Sequence, residues 1–183
     1  KVILKSPHQH CLCNDALDHT HELLSFEKIE TAQQFAALFN SNKELKAPVS
    51  LVLGADITLD AEYKLAGHTL DLCLNGNTIT MQGKGRITAN GGTGLLNITD
   101  CGEDGAIVAA EDSRGGFIYA YNGQIGLYGG TVDATKVSIT GYGAAIYVDK
   151  TAFTMYGGTV IGGTAVAAAP VAAPAPVAAP VAA

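Results

Sequence analysis

Basic charge is scarce in this sequence. Only 11 of the 183 residues are Lys or Arg, against 17 Asp or Glu, and the formal net charge is -6. The basic residues nowhere cluster, and phosphate binding draws on a concentrated basic face, so nucleic acid is not an expected partner. Long apolar runs are missing too. The one stretch approaching the roughly 18 residues of a membrane-spanning helix is the Ala/Val/Pro run after Thr164, and its prolines break a helix, so membrane insertion is not expected. Charged residues make up 15% of the chain while 22 of the 183 residues are Gly, a balance that suits a turn-rich all-β body with one core and leaves no room for a second enzyme-sized domain. A first residue that is Lys rather than Met is expected of a processed chain, such as one whose secretory signal has been removed.

What the sequence does contain is a repeat. Tyr128-Gly129-Gly130-Thr131-Val132 returns as Tyr156-Gly157-Gly158-Thr159-Val160, and Ile125 and Leu127 before the first copy match Phe153 and Met155 before the second. Upstream, Leu72 to Ile79 reads as a diverged copy that matches Phe153 to Val160 position by position. Another copy lies at Leu96 to Ile107, stretched by the turn Asp100 to Gly105. With Ile79, Ile107, Val132 and Val160 taken as one column, the intervals are roughly 28, 25 and 28 residues, in the range of repeat architectures.

Within each unit the apolar residues alternate, as in Ile118 and Ala120 against Phe117, Tyr119 and Tyr121, or Ile146 and Val148 against Tyr147 and Asp149. A period of two means strand. A unit of two or three short strands cannot bury its apolar face alone, but stacked units lay Ile87, Ile118 and Ile146 in one inward column and close a continuous core. The pattern predicts a parallel β-solenoid of about four coils, with Gly supplying the corners. An antiparallel sandwich of hairpins explains the alternation but not the in-register return of YGGTV.

Four parts follow in chain order: a His/Cys-rich arm over 1–29, a capping helix and connection over 30–48, the solenoid over 49–164, and an extended Ala/Val/Pro tail over 165–183. The arm holds His8, His10, Cys11, Cys13, His19 and His21, and imidazole and thiolate are the ligands zinc prefers, so these six are candidate zinc ligands. Cys11 or Cys13 in a disulfide is the competing reading, which an even cysteine count permits. The helix starts near Thr31, where Thr31 to Gln34 has the form of a capping box. Phe35, Leu38 and Phe39 fall on one stripe that suits a cover for the first coil's open end. The β region opens over Val49 to Leu59.

The run Leu53-Gly54-Ala55-Asp56-Ile57-Thr58-Leu59, the run Leu70 to Thr80 with its Leu-Asn-Gly-Asn-Thr-Ile core, and the Phe153-Thr154-Met155-Tyr156-Gly157-Gly158-Thr159-Val160 copy resemble the right-handed parallel β-helix repeat proteins on the surfaces of Gram-positive, often gut-dwelling, bacteria. The match covers about residues 30 to 165, and a His/Cys-rich lead-in is similar to theirs. The resemblance implies a secreted, right-handed, single-stranded parallel β-helix at the cell surface, serving as a stalk or adhesive module rather than an enzyme.

Pectate lyases, polygalacturonases and tailspike endorhamnosidases share that fold, so catalysis has candidates: Asp100, Glu103, Asp104, Glu111, Asp112 and Arg114, all near one turn pair. Such chemistry needs carboxylates grouped on one face. These residues read more simply as solvated loop charges, with calcium held by the acidic turn as a separate option. Tyr119 with Tyr147, and Tyr128 with Tyr156, occupy equal places in successive units and should stack as short ladders. The ladders serve self-stacking, a sugar platform or a lateral contact between subunits. Cys73 and Cys101 belong to neighbouring units and are candidates for a disulfide. The tail favours extended polyproline-like chain. Such a strand laid on a neighbouring subunit, or the Val2-Ile3-Leu4 segment, would strengthen head-to-tail stacking into a fibre. The expected function is that of a non-catalytic extracellular structural protein, a stalk or fibre subunit. A carbohydrate-active β-helix or a module that binds cell-wall glycan is the alternative.

Overall fold

Alternating apolar residues broken every few positions by Gly, Asn or Asp become a chain of short strands, and the strands come back into register because the breaks recur. The structure, a computed structural model, describes residues 8–10, 24–139 and 143–165. Two strands, β1 (His8–His10) and β2 (Leu24–Ile29), pair antiparallel, and the helix α1 (Ala32–Ala37) follows. Five windings come next. The first contains β3 (Val49–Leu53), β4 (Ile57–Leu59) and β5 (Glu62–Lys64), and the second β6 (Thr69–Cys73), β7 (Thr78–Met81) and β8 (Arg86–Asn90). The third holds β9 (Leu95–Thr99), β10 (Ala106–Ala109) and β11 (Ile118–Tyr121). The fourth holds β12 (Gln124–Leu127), β13 (Thr131–Asp133), β14 (Ser138–Ile139) and β15 (Ile146–Asp149). The last consists of β16 (Ala152–Met155), β17 (Thr159–Ile161) and β18 (Thr164–Ala165).

Like strands of successive windings join into three long sheets. The first sheet runs β1-β2-β3-β6-β9-β12-β16, the second β4-β7-β10-β13-β17 and the third β5-β8-β11-β15, with β14 and β18 as a separate pair. Among the described strands every pairing after β1–β2 is parallel. The three sheets enclose one core. Its columns are the expected ones: Ile57, Ile79, Ile107, Val132 and Val160 in register in the second sheet, and Tyr63, Ile87, Ile118 and Ile146 in the third. A parallel β-solenoid is therefore the fold.

Several details differ from the sequence reading. There are five windings rather than four. The sheet begins earlier than Val49, because β2 pairs parallel with β3 through Glu27–Leu51 and Ile29–Leu53. Leu72 does not stack in the column of Phe153: it lies in register with Ile98, Leu127 and Met155, while Leu70 lies with Leu96, Ile125 and Phe153. The slip is two residues, which keeps every side chain on the same face of a period-two strand, and the corner Leu74 to Asn77 absorbs the extra pair. Phe117 is not an outward residue. It is fully buried just before β11, where the chain turns into the third sheet.

The second glycine of each YGGTV corner is required by two independent constraints. Gly130 and Gly158 both have φ of +81, and a Cβ on Gly158 would lie 2.6 Å from the Gly130 carbonyl oxygen of the winding below. Only a residue without a side chain combines that backbone conformation with that approach.

Helix α1 closes the lower end. Thr31 accepts from the Gln34 amide at 3.2 Å, and Gln34 Oε1 accepts from the Thr31 amide at 3.1 Å, the reciprocal capping pair read from the sequence. Phe35 and Phe39 are buried and pack on Tyr63 of the first winding with ring centroids 5.1 and 4.8 Å away. No helix among the described residues is long and apolar enough to cross a membrane.

Candidate functional site

The upper end has no such cover among the described residues. Strands β15, β16 and β17 are the terminal members of their sheets, so each leaves one edge without a partner strand there. Following a column upward shows what this does to burial. Leu72, Ile98 and Leu127 are fully buried, but Met155, next in line, is 47% exposed. Val132 is fully buried and Val160 is 37% exposed. Ile161, Val148 and Tyr156 are exposed alongside them, so nearly all the exposed large apolar side chains lie on the last winding or the edge leading into it. Apolar side chains left open beside strand edges without partners mark this end as a candidate contact surface. The sequence reading identified these columns but treated them as core throughout.

Both tyrosine ladders form. Tyr119 and Tyr147 stack at 5.3 Å with planes 7° apart, and Tyr128 and Tyr156 at 4.6 Å and 18°. Arg86 of the winding below lies 4.9 Å from the Tyr119 ring centre, so Tyr119 is held between a guanidinium and a ring. Both faces of Tyr119 are thereby occupied, and Tyr128 and Tyr156 cover one face of each other. Burial, and then the adjacent Tyr156 and Asp71, push the Tyr128 phenol above its ordinary value. Beside Tyr128 and Tyr156 is a shallow hollow of about 160 Å³ on the outside of the first sheet, lined also by Asn97, Gln124 and Thr154. Gly126 opens it, since a Cβ there would lie 3.0 Å from the Tyr128 ring.

Adjoining this hollow is a polar network that the sequence reading missed. Asp71 is almost buried on the outer face of β6 and accepts from Ser50 Oγ at 2.9 Å and from Asn97 Nδ2 at 2.8 Å, which ties three windings together. The only sequence signal for it is that Ser50, Asp71 and Asn97 fall in one outward column, and that becomes visible only once the register is known.

The acidic candidates do not converge. Asp100 uses its carboxylate on backbone amides, those of Gly102 and Gly105 on its own corner and that of Gly76 on the corner below. Glu103 and Asp104 lie on that same corner, whereas Glu111, Asp112 and Arg114 lie on the next corner, beyond β10. Four strand residues separate the two corners, about 13 Å of extended chain. Among the described residues no three His, Cys, Asp or Glu side chains are grouped to hold a metal ion. Of the zinc candidates, His8 and His10 belong to β1, while Cys11, Cys13, His19 and His21 lie outside the described residues, as do the Val2-Ile3-Leu4 segment and residues 166–183. Cys73 and Cys101 are brought together, with Sγ atoms 3.4 Å apart. Comparison with models of known families, with curated proteins and with solved structures gave no match.

Proposed function

We propose that this chain is a non-catalytic structural β-solenoid, part of a secreted bacterial surface stalk, that pairs end to end with a second copy through its last winding. The observation that carries the reading is the exposure of Met155 and Val160 at strand edges without partner strands, in columns whose other members are sealed. A second copy is the partner that fits. At the opposite end Phe35, Phe39 and Tyr63 are already packed under the helix, so the matching bare surface is another copy's last winding. A twofold axis across that junction reverses the sense in which the partner's chain circulates, so the strand edges meet antiparallel and both are satisfied. The secreted and cell-surface setting is supported by the resemblance of the repeats to the Gram-positive surface proteins. The absence of catalysis is supported by the separation of the carboxylates onto two corners.

Sedimentation of the full chain and of Met155→Lys/Val160→Lys tests the contact. Both positions are exposed, so the double variant should melt where the dilute monomer does while losing association by tenfold or more. A full chain that remains monomeric at concentrations on the order of 1 mM, the weak limit of specific binding, overturns the contact. A chain ending at Thr164 that associates when the full chain does not would instead assign the end face to the Ala/Val/Pro tail.

A second reading rests on the hollow beside Tyr128 and Tyr156, whose amide and hydroxyl lining suits a sugar. Titration with cell-wall glycan fragments decides it: binding that Tyr156→Ala abolishes would make this a glycan-binding module.

A further inference from the structure

Cys73 and Cys101 carry chemistry that the structural reading leaves unused. Cys73 ends β6 with its side chain on the outer face of the first sheet, fully buried in a small cluster with Phe26 and Val52. Cys101 lies two residues beyond Thr99, the register partner of Cys73 in the next winding. The two thiol sulfurs are 3.4 Å apart.

The corner that carries Cys101 is bolted down on both sides. Asp100 Oδ1 accepts from the Gly76 amide at 2.8 Å and the Gly102 amide at 3.2 Å, and Oδ2 accepts from the Gly105 amide at 2.9 Å. Behind Cys101, the backbones of Gly102 and Gly76 touch so closely that a Cβ on Gly102 would lie 2.3 Å from the Gly76 nitrogen. Cys101 Sγ itself donates to Asn75 Oδ1 at 3.3 Å. A thiol held this firmly against another has paid most of the entropic cost of joining it.

We propose that Cys73 and Cys101 form an oxidation site, closing to a disulfide that ties the second winding to the third. The sulfurs need to approach by about 1.4 Å to reach bonding distance. With a small disulfide such as oxidised glutathione as the oxidant, exposed Cys101 reacts first. Its thiolate attacks one glutathione sulfur, a Cys101–glutathione disulfide forms, and one glutathione thiolate leaves. Cys73 then gives up its proton to solvent, and its sulfur displaces the second glutathione and forms the Sγ–Sγ bond. The chain loses two hydrogens, and one oxidised glutathione becomes two thiols. Burial, followed by the Cys101 contact, pushes the Cys73 thiol up to about 12, which makes Cys101 the point of entry and the closing step the slow one. The cross-link spans 28 residues of chain, and a loop of that length constrains the unfolded state enough to raise the melting temperature by on the order of 10 °C.

The test is to equilibrate the folded full chain with oxidised glutathione, block remaining thiols, digest without reductant and map the linked peptides by mass spectrometry, with melting curves before and after dithiothreitol. The expected result is a Cys73–Cys101 peptide about 2 Da lighter than the sum of its two thiol peptides, and a melting temperature that falls back on reduction. In Cys101→Ser, an exposed turn substitution that leaves the core untouched, the oxidised sample should melt where the reduced one does. Cys73 or Cys101 linked to Cys11 or Cys13 overturns the proposal. So does recovery of both as blocked thiols from folded protein, or protection of both by a bound metal with no mass loss.

Discussion

The two ends of the solenoid are made of the same columns and treat them oppositely. At the lower end α1 and the segment after it lay Phe35 and Phe39 on Tyr63, all three 4% exposed or less. At the upper end Met155 is 47% exposed, although Leu127 stacked beneath it is fully buried. Position in the stack therefore decides what a side chain contributes, since chemistry is nearly constant along a column. A sealed end stabilises the monomer; a bare end makes stability depend on what docks there.

Phe35→Ala probes the sealed end most severely. Removing a fully buried ring from the aromatic trio should cost about 3–5 kcal/mol in denaturant unfolding, and a loss under about 1 kcal/mol would mean the helix is ornament rather than cap. Next in size is a matched pair in one column. Leu127→Ala should cost about 2–5 kcal/mol, whereas Met155→Ala should stay within about 0.5 kcal/mol in dilute monomer. Equal losses at the two positions would erase the distinction between the ends. Thr31→Ala removes the side-chain acceptor of the capping pair and should cost about 1 kcal/mol, again felt at the lower end alone.

A last effect is one of pH. Folding raises the Cys73 thiol to about 12, so its stabilisation is fully present below the ordinary thiol range and drains away as pH rises from there toward 12. Reduced protein should therefore lose melting temperature steadily between about pH 8.5 and 10.5, and Cys73→Ala should flatten that decline. An unchanged slope in the variant would place the loss elsewhere.

The architecture was largely legible in the sequence because it is periodic. Ile79, Ile107, Val132 and Val160 announce a column without any knowledge of geometry, and Tyr128 and Tyr156 announce a ladder. The capping pair is visible too, since Thr31 and Gln34 are near neighbours in sequence. What the sequence hid depends on corner length. Six residues lie between Leu72 and Ile79 where four lie between their register partners Met155 and Val160, and period-two alternation is blind to a shift of two, so local matching sets Leu72 in the wrong column. Asp71 and Asn97 became partners only through that corrected register. The bare end was invisible for another reason. Val132 and Val160 sit in identical local motifs, and only counting windings from the cap tells which one is covered.

The parallel register also sets how this molecule responds to being pulled. The interstrand hydrogen bonds run along the solenoid axis, so a stretching load on the two ends meets a full winding of them at once before anything gives. When the outermost winding does peel away, the stack shortens by one strand spacing, about 4.8 Å, while the freed chain can extend to roughly 90 Å. Leu127 and Met155, stacked neighbours 28 residues apart, mark the length released in one such step. A stack built this way is short and stiff at rest, and under load it yields in discrete lengths of one winding each instead of snapping.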